Sequence, residues 1–110
     1  MATETYKVIA QRNPAAATLE DMYTVPASTE AVISSIIIAN RSNATRSFRV
    51  SIAVAGAADS DEQYIAYDTS LPGNGIQELT IGATLGPGDV IRVQASAADL
   101  SFNVFGTEIA

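Results

Sequence analysis

In three separate stretches of this chain the apolar residues fall on every second position. "SFRVSIAV", residues 47 to 54, sets Phe48, Val50, Ile52 and Val54 against Ser47, Arg49, Ser51 and Ala53. "DVIRVQAS" sets Ile91, Val93 and Ala95 against Arg92, Gln94 and Ser96, and "DLSFNVFG" sets Leu100, Phe102 and Val104 against Ser101 and Asn103. A period of two is the signature of a strand with one buried face, because successive side chains of extended backbone point to opposite sides. The residue types agree. Isoleucine and valine number 19 against 5 leucines, and 10 threonines add to the β-branched total. Such side chains are stiff at χ1 and suit a pleated sheet.

Punctuation falls at short intervals: "NP" at 13, "VPAS" at 25, "NRSN" at 40, "GAADSD" at 56, "LPGNG" at 71 and "LGPGD" at 85. In "GPGD", Pro87 has the fixed φ of the second turn position and Gly88 can take a positive φ; "LPGN" repeats the device. Pro26 ends a strand or lies at an edge, since it cannot donate to a ladder. Short strands between turn clusters predict an all-β fold, an antiparallel β-sandwich of jelly-roll or immunoglobulin-like type. At 110 residues the chain is one domain and buries roughly two-thirds of its extended surface.

Two stretches are less cleanly divided. "GIQELTIGATL" puts Gln77, Leu79 and Ile81 on one face and Ile76, Glu78 and Thr80 on the other. Through "VISSIIIAN", alternation groups Val32, Ser34, Ile36 and Ile38, and opposite them Ile33, Ser35, Ile37 and Ala39. Both faces are apolar at the isoleucine end, whereas a sandwich core covers only one. The second cover is a loop, the N-terminal segment or a neighbouring subunit.

The N-terminal portion differs. "ETYKVIAQ" alternates, with Tyr6 and Val8 opposite Lys7 and Ile9, and "RNPAAATLEDMYTV" mixes helix-start and strand signals. Residues 1–18 are expected to form an extended N-terminal arm or edge strand leading into a sandwich over 19–110. Neither a basic start nor a long apolar run opens the chain, so a cytosolic origin is expected. No apolar run approaches the roughly 18 residues of a membrane span.

Composition narrows the chemistry. The chain has no cysteine and no histidine, which removes thiol nucleophiles, disulfides, thiolate zinc sites and the commonest general base. Lys7 is the only lysine, so a Ser–Lys pair with Ser34 or Ser35 is the sole formal nucleophile. The expectation is a protein that is not an enzyme and holds no cofactor. Six basic residues against twelve acidic ones give a net charge of −6. Arg41, Arg46 and Arg49 lie together, but Asp59, Asp61 and Glu62 follow, and no nucleic-acid partner is expected. "DSDE" offers oxygen ligands without the alternating ligands of a calcium loop, so no metal is assigned and a solvated loop tip is expected. "NAT" at 43 to 45 reads as a hairpin turn. Tyr64 and Tyr67, three apart in "QYIAYDTS", are expected on opposite faces of a strand. That spacing makes no aromatic platform for a carbohydrate.

The order of these features carries a resemblance. "LEDMYTVPASTEAVISSIIIANRS", followed by "YIAYDTSLPGNGIQELTIGATLGPGDVIRVQASAADLSFNVFG", resembles small β-sandwich modules of tailed-bacteriophage virions. Its marks are "MYTVP" before a strand, "SSIIIAN" as a central strand, the "GD" turn before "VIRVQAS" and the closing "FNVFG". The resemblance spans roughly residues 19 to 106 and brings no catalytic residues with it. It implies a virion structural protein: a capsid decoration (cement) protein that binds the outer shell as a homotrimer and bridges subunits of the phage major capsid protein. A tail, neck or fibre component is the alternative, and a carbohydrate-binding module the alternative from another class. Candidate intersubunit contacts are Tyr6, Val8, Ile9, Ile37, Tyr64 and Tyr67, with no membrane involved.

Overall fold

A computed structural model describes residues 2–110. Eight strands run β1 Glu4–Arg12, β2 Glu20–Thr24, β3 Glu30–Asn40, β4 Arg46–Ala53, β5 Tyr64–Leu71, β6 Ile76–Leu85, β7 Val90–Ala95 and β8 Leu100–Ile109. They form two antiparallel four-stranded sheets, a front sheet ordered β1-β8-β3-β6 and a back sheet ordered β2-β7-β4-β5. First pairs with last, second with seventh, third with sixth and fourth with fifth. This is one long antiparallel hairpin folded over into two layers, the jelly-roll member of the two expected sandwich types.

The alternating stretches supply the core. Ile33, Ile36, Ile38, Leu100, Phe102 and Val104 of the front sheet meet Phe48, Val50, Ile91 and Val93 of the back sheet, each at most 1% exposed. Phe48 and Phe102 cross the gap edge to face with ring centroids 6.2 Å apart, the geometry their quadrupoles favour. Val54, grouped with Phe48 in the sequence, lies past the strand in a 3-10 turn (Val54–Gly56) and is exposed.

Strand β3 departs from plain alternation. Ala31 and Ile33 face the core, and so do Ile36, Ile38 and Asn40. The phase changes at Ser34, a bulge residue with no counterpart in the pairing to β8, whose hydroxyl donates to the Phe105 carbonyl at 3.0 Å. The expected grouping of Val32 and Ser34 with Ile36 is therefore corrected, because one extra residue reverses every side chain on one side of it. Neighbouring strands bulge at the same level. β1 carries the extra residue Ile9 against β8, and β6 carries Ile81–Gly82 against β3, with Gly82 at φ 58°. β8 passes through this line at Gly106, where a Cβ would run into the Val32 carbonyl and crowd Ile9. The front sheet thus bends along one transverse row.

Of the two forms expected for the N-terminal segment, an extended arm or an edge strand, the second is the one found. Residues 4–12 pair along β8 as the edge strand of the chain's own front sheet. Thr3 and Ala110 exchange backbone hydrogen bonds at 2.6 and 3.0 Å, and Lys7 pairs with Glu108 at 2.6 Å. The physical reason is the inner face of β1, where Ile9 and Ala10 pack on the core. The loop after it is non-helical. Asn13 donates to the Ala98 and Leu100 carbonyls at 3.0 and 3.2 Å, and the Ala17 amide donates to Ala95 at 2.7 Å.

Two turns also differ from expectation. "NAT" lies between β3 and β4, which belong to different sheets, so it is a crossover rather than a hairpin turn. Buried Asn40 holds it by donating to the carbonyls of Ala44, Leu71 and Pro72 at 2.8 to 3.2 Å. In "LPGN" the left-handed residue is Asn74, at φ 58°. Gly73 is instead needed for close approach, since a Cβ there would overlap the Asn43 backbone.

Candidate interaction surface

The outward face of the front sheet can be read row by row from its register. One row is Tyr6–Thr107–Val32–Thr84 and the next Val8–Phe105–Ser35–Thr80. Then come Gln11–Asn103–Ile37–Glu78 and Ser101–Ala39–Ile76. Across these four rows Glu78 is the only charged residue, in a chain of net charge −6. Charge returns at the rim, where Glu4 and Glu30 flank Ile109. Tyr6 is 78% exposed, Ile76 69% and Val8 49%. Gln11 donates to Asn103 at 2.8 Å and Thr80 to Glu78 at 2.9 Å, so four of the face's polar side chains are already oriented.

Ile36 and Ile38 are core, while Ile37 is half-buried on the outer face between Asn103 and Glu78. Of the remaining candidate contacts, Tyr6 and Val8 join Ile37 on that face, and Ile9 turns inward against the chain's own core. Missed in the sequence were Phe105, Val32 and Ile76. Phe105 was legible, since it continues the outward positions of Ser101 and Asn103.

Tyr64 and Tyr67 lie on the outer face of the back sheet, and on the same side, which corrects their expected separation. Tyr64 pairs with Ser51 and Ala66 with Val50, leaving Ile65 as an extra residue that resets the phase between the two rings. The rings meet edge to face with centroids 5.0 Å apart. The Arg49 guanidinium sits 4.0 Å from the Tyr67 centroid and is gripped by Asp68 through hydrogen bonds of 2.6 and 3.1 Å. That guanidinium holds the Asp68 carboxyl below the usual carboxylate range. Burial, then a hydrogen bond with Asp59, pushes the Tyr64 phenol up. Asp61 completes a shallow hollow with the two tyrosines.

The loop between β4 and β5 lies beside this site, its second half a 3-10 turn at Asp61–Gln63. Arg92 anchors its first half, donating to the Ala57 and Gly56 carbonyls at 2.8 and 3.3 Å and pairing with Asp21 at 2.9 Å. Among the described residues no group of three or more side chains converges as metal ligands, and no helix is long and apolar enough to cross a membrane. What these two faces can do is adhere, one through apolar and uncharged groups, the other through rings and carboxylates.

No family model and no curated protein matches the chain. The fold is similar to parts of chains in solved structures of infectious bursal disease virus. For the Gx strain the TM-score is 0.56 with 11% identity, over 99% of this chain and 32% of that one. For a crystal structure of the T13 particle of the same virus it is 0.55 with 8% identity, over 99% and 30%. A third likeness, to the Gt strain, has a TM-score of 0.52 with 8% identity, over 98% and 31%. This chain therefore spans about a third of the length of each. At such identities the likeness is one of fold, the same two-sheet sandwich. None of the three comes from a tailed bacteriophage.

Proposed function

We propose that this chain is a non-enzymatic structural protein of a virion, a decoration (cement) protein that binds the outside of a tailed-bacteriophage capsid. The observation that carries this reading is the front face: four rows of a rigid sheet with a single carboxylate, bordered by charge. Exposed Tyr6, Val8 and Ile76 on so lightly charged a face suit contact with a partner. The similarity of the sandwich to chains from viral particles supports a place in a shell. In this role the front face meets major capsid subunits, and a homotrimer multiplies weak contacts through effective concentration.

Density for particles carrying the chain tests the proposal. Copies on the capsid lattice, front sheet toward the shell and bridging its subunits, are the expected result. Copies on the tail axis or fibres would move the protein to a tail, neck or fibre role. Particles in which it is absent would overturn the virion reading altogether.

A further inference from the structure

The excess negative charge of this chain is not spread evenly. All six basic side chains are engaged. Lys7, Arg12, Arg46, Arg49 and Arg92 each pair with a carboxylate, and Arg41 bonds Asn13 and the Ala98 carbonyl. Of twelve acidic residues five are in those pairs, leaving seven, and three of the seven are Asp59, Asp61 and Glu62. Within that loop the Ser60 hydroxyl donates to Glu62, and Asp59 lies near the Tyr64 phenol, whose pKa it helps to raise. The Asp61 carboxylate has no hydrogen-bond partner among the described residues, and it faces the hollow beside Tyr64 and Tyr67.

A cation above an aromatic face with a carboxylate beside it is a recurring recognition unit, because the ring quadrupole and the anion attract the same charge. The chain already contains one, in which Arg49 lies over Tyr67 and is held by Asp68. We propose that the Tyr64–Tyr67–Asp61 hollow is a docking site for a basic side chain, arginine before lysine, presented by a partner protein. The guanidinium would stack on Tyr64, since Tyr67 already carries Arg49, and bond Asp61, as Arg49 does with Tyr67 and Asp68. Asp59, Asp61, Glu62 and Asp68 against Arg49 leave three negative charges unbalanced here, which steers a basic partner surface toward this side of the molecule. The inference deepens the structural role proposed above by giving the chemistry of a second contact. Its test needs no particle, so the two can fail separately.

The full-length chain is titrated with a hexa-arginine peptide at low salt, with the tyrosine ring resonances as the readout. Binding should move the Tyr64 and Tyr67 signals and leave Tyr6 and Tyr23 in place. Asp61→Asn, at an exposed position, should weaken binding roughly three- to tenfold, the range of an exposed cation–π and ion contact. Tyr64→Ala should do the same, whereas Glu78→Gln removes equal charge from the opposite sheet and should change affinity less than twofold. An equal effect of Glu78→Gln, or unmoved Tyr64 and Tyr67 signals, would overturn the site. So would specific binding of a neutral glycan to these two rings that the peptide fails to displace.

Discussion

At the scale of single residues, a few positions hold the bend of the front sheet, and Gly106 is the strictest. It needs no unusual φ; what it needs is the absence of a side chain where the Val32 carbonyl and Ile9 close in. Gly106→Ala should therefore destabilise the protein by about 2 kcal/mol or more, by forcing backbone apart in a close-packed interior. A lowered urea midpoint with unchanged slope checks this, and an unaltered midpoint would show that the strands yield freely. Nothing in the sequence singles Gly106 out, since it follows an alternating strand and could as easily have ended it.

At the scale of elements, the limit of what the sequence shows is the bulge. β7 and β8 are legible from alternation because their core-facing residues keep a strict period of two from Ile91 to Ala95 and from Leu100 to Val104. β1, β3 and β5 each contain an extra residue, and a fixed period carried through it assigns the far side to the wrong face. That is why Ile33 was separated from Ile36 and Ile38, and why two tyrosines that touch were placed apart. The N-terminal segment stayed open between arm and edge strand for another reason: its inward residues are few, and only pairing with the last strand reveals that it completes the sheet. If the bulge at Ser34 sets the register, deleting that residue should prevent folding, because either the front or the rear of β3 must then turn its core residues outward. Ser34→Ala, which keeps the spacing and loses one hydrogen bond, should cost only about 1 kcal/mol. Circular dichroism melts of the two variants distinguish spacing from side-chain chemistry.

At the scale of the whole molecule, charge governs the response to pH. Glu20, Asp68, Asp99 and Glu108 all have carboxyls held below their ordinary range, chiefly by the Ala15 amide, Arg49, Arg46 and Lys7 respectively. A carboxyl that is more acidic folded than unfolded contributes stability above its unfolded value, and loses it as pH falls through the folded one. With no histidine in the chain, stability should stay nearly level between about pH 6 and 8 and decline only below about pH 4. Urea midpoints across that range test it, and a loss of stability already at pH 6 would contradict the assignment.

The same scale holds the central claim, that the outward face of the front sheet joins this protein to its neighbours. Val8 and Ile76 are exposed there, at 49% and 69%, so a Val8→Glu, Ile76→Glu double variant should fold with its melting temperature close to that of the parent. The deciding measurement is the occupancy of parent and variant on particles prepared without the chain. Occupancy reduced at least about tenfold is predicted, since two further carboxylates would be desolvated within a contact that otherwise holds one. A folded variant that fills the particles as completely as the parent would contradict the account.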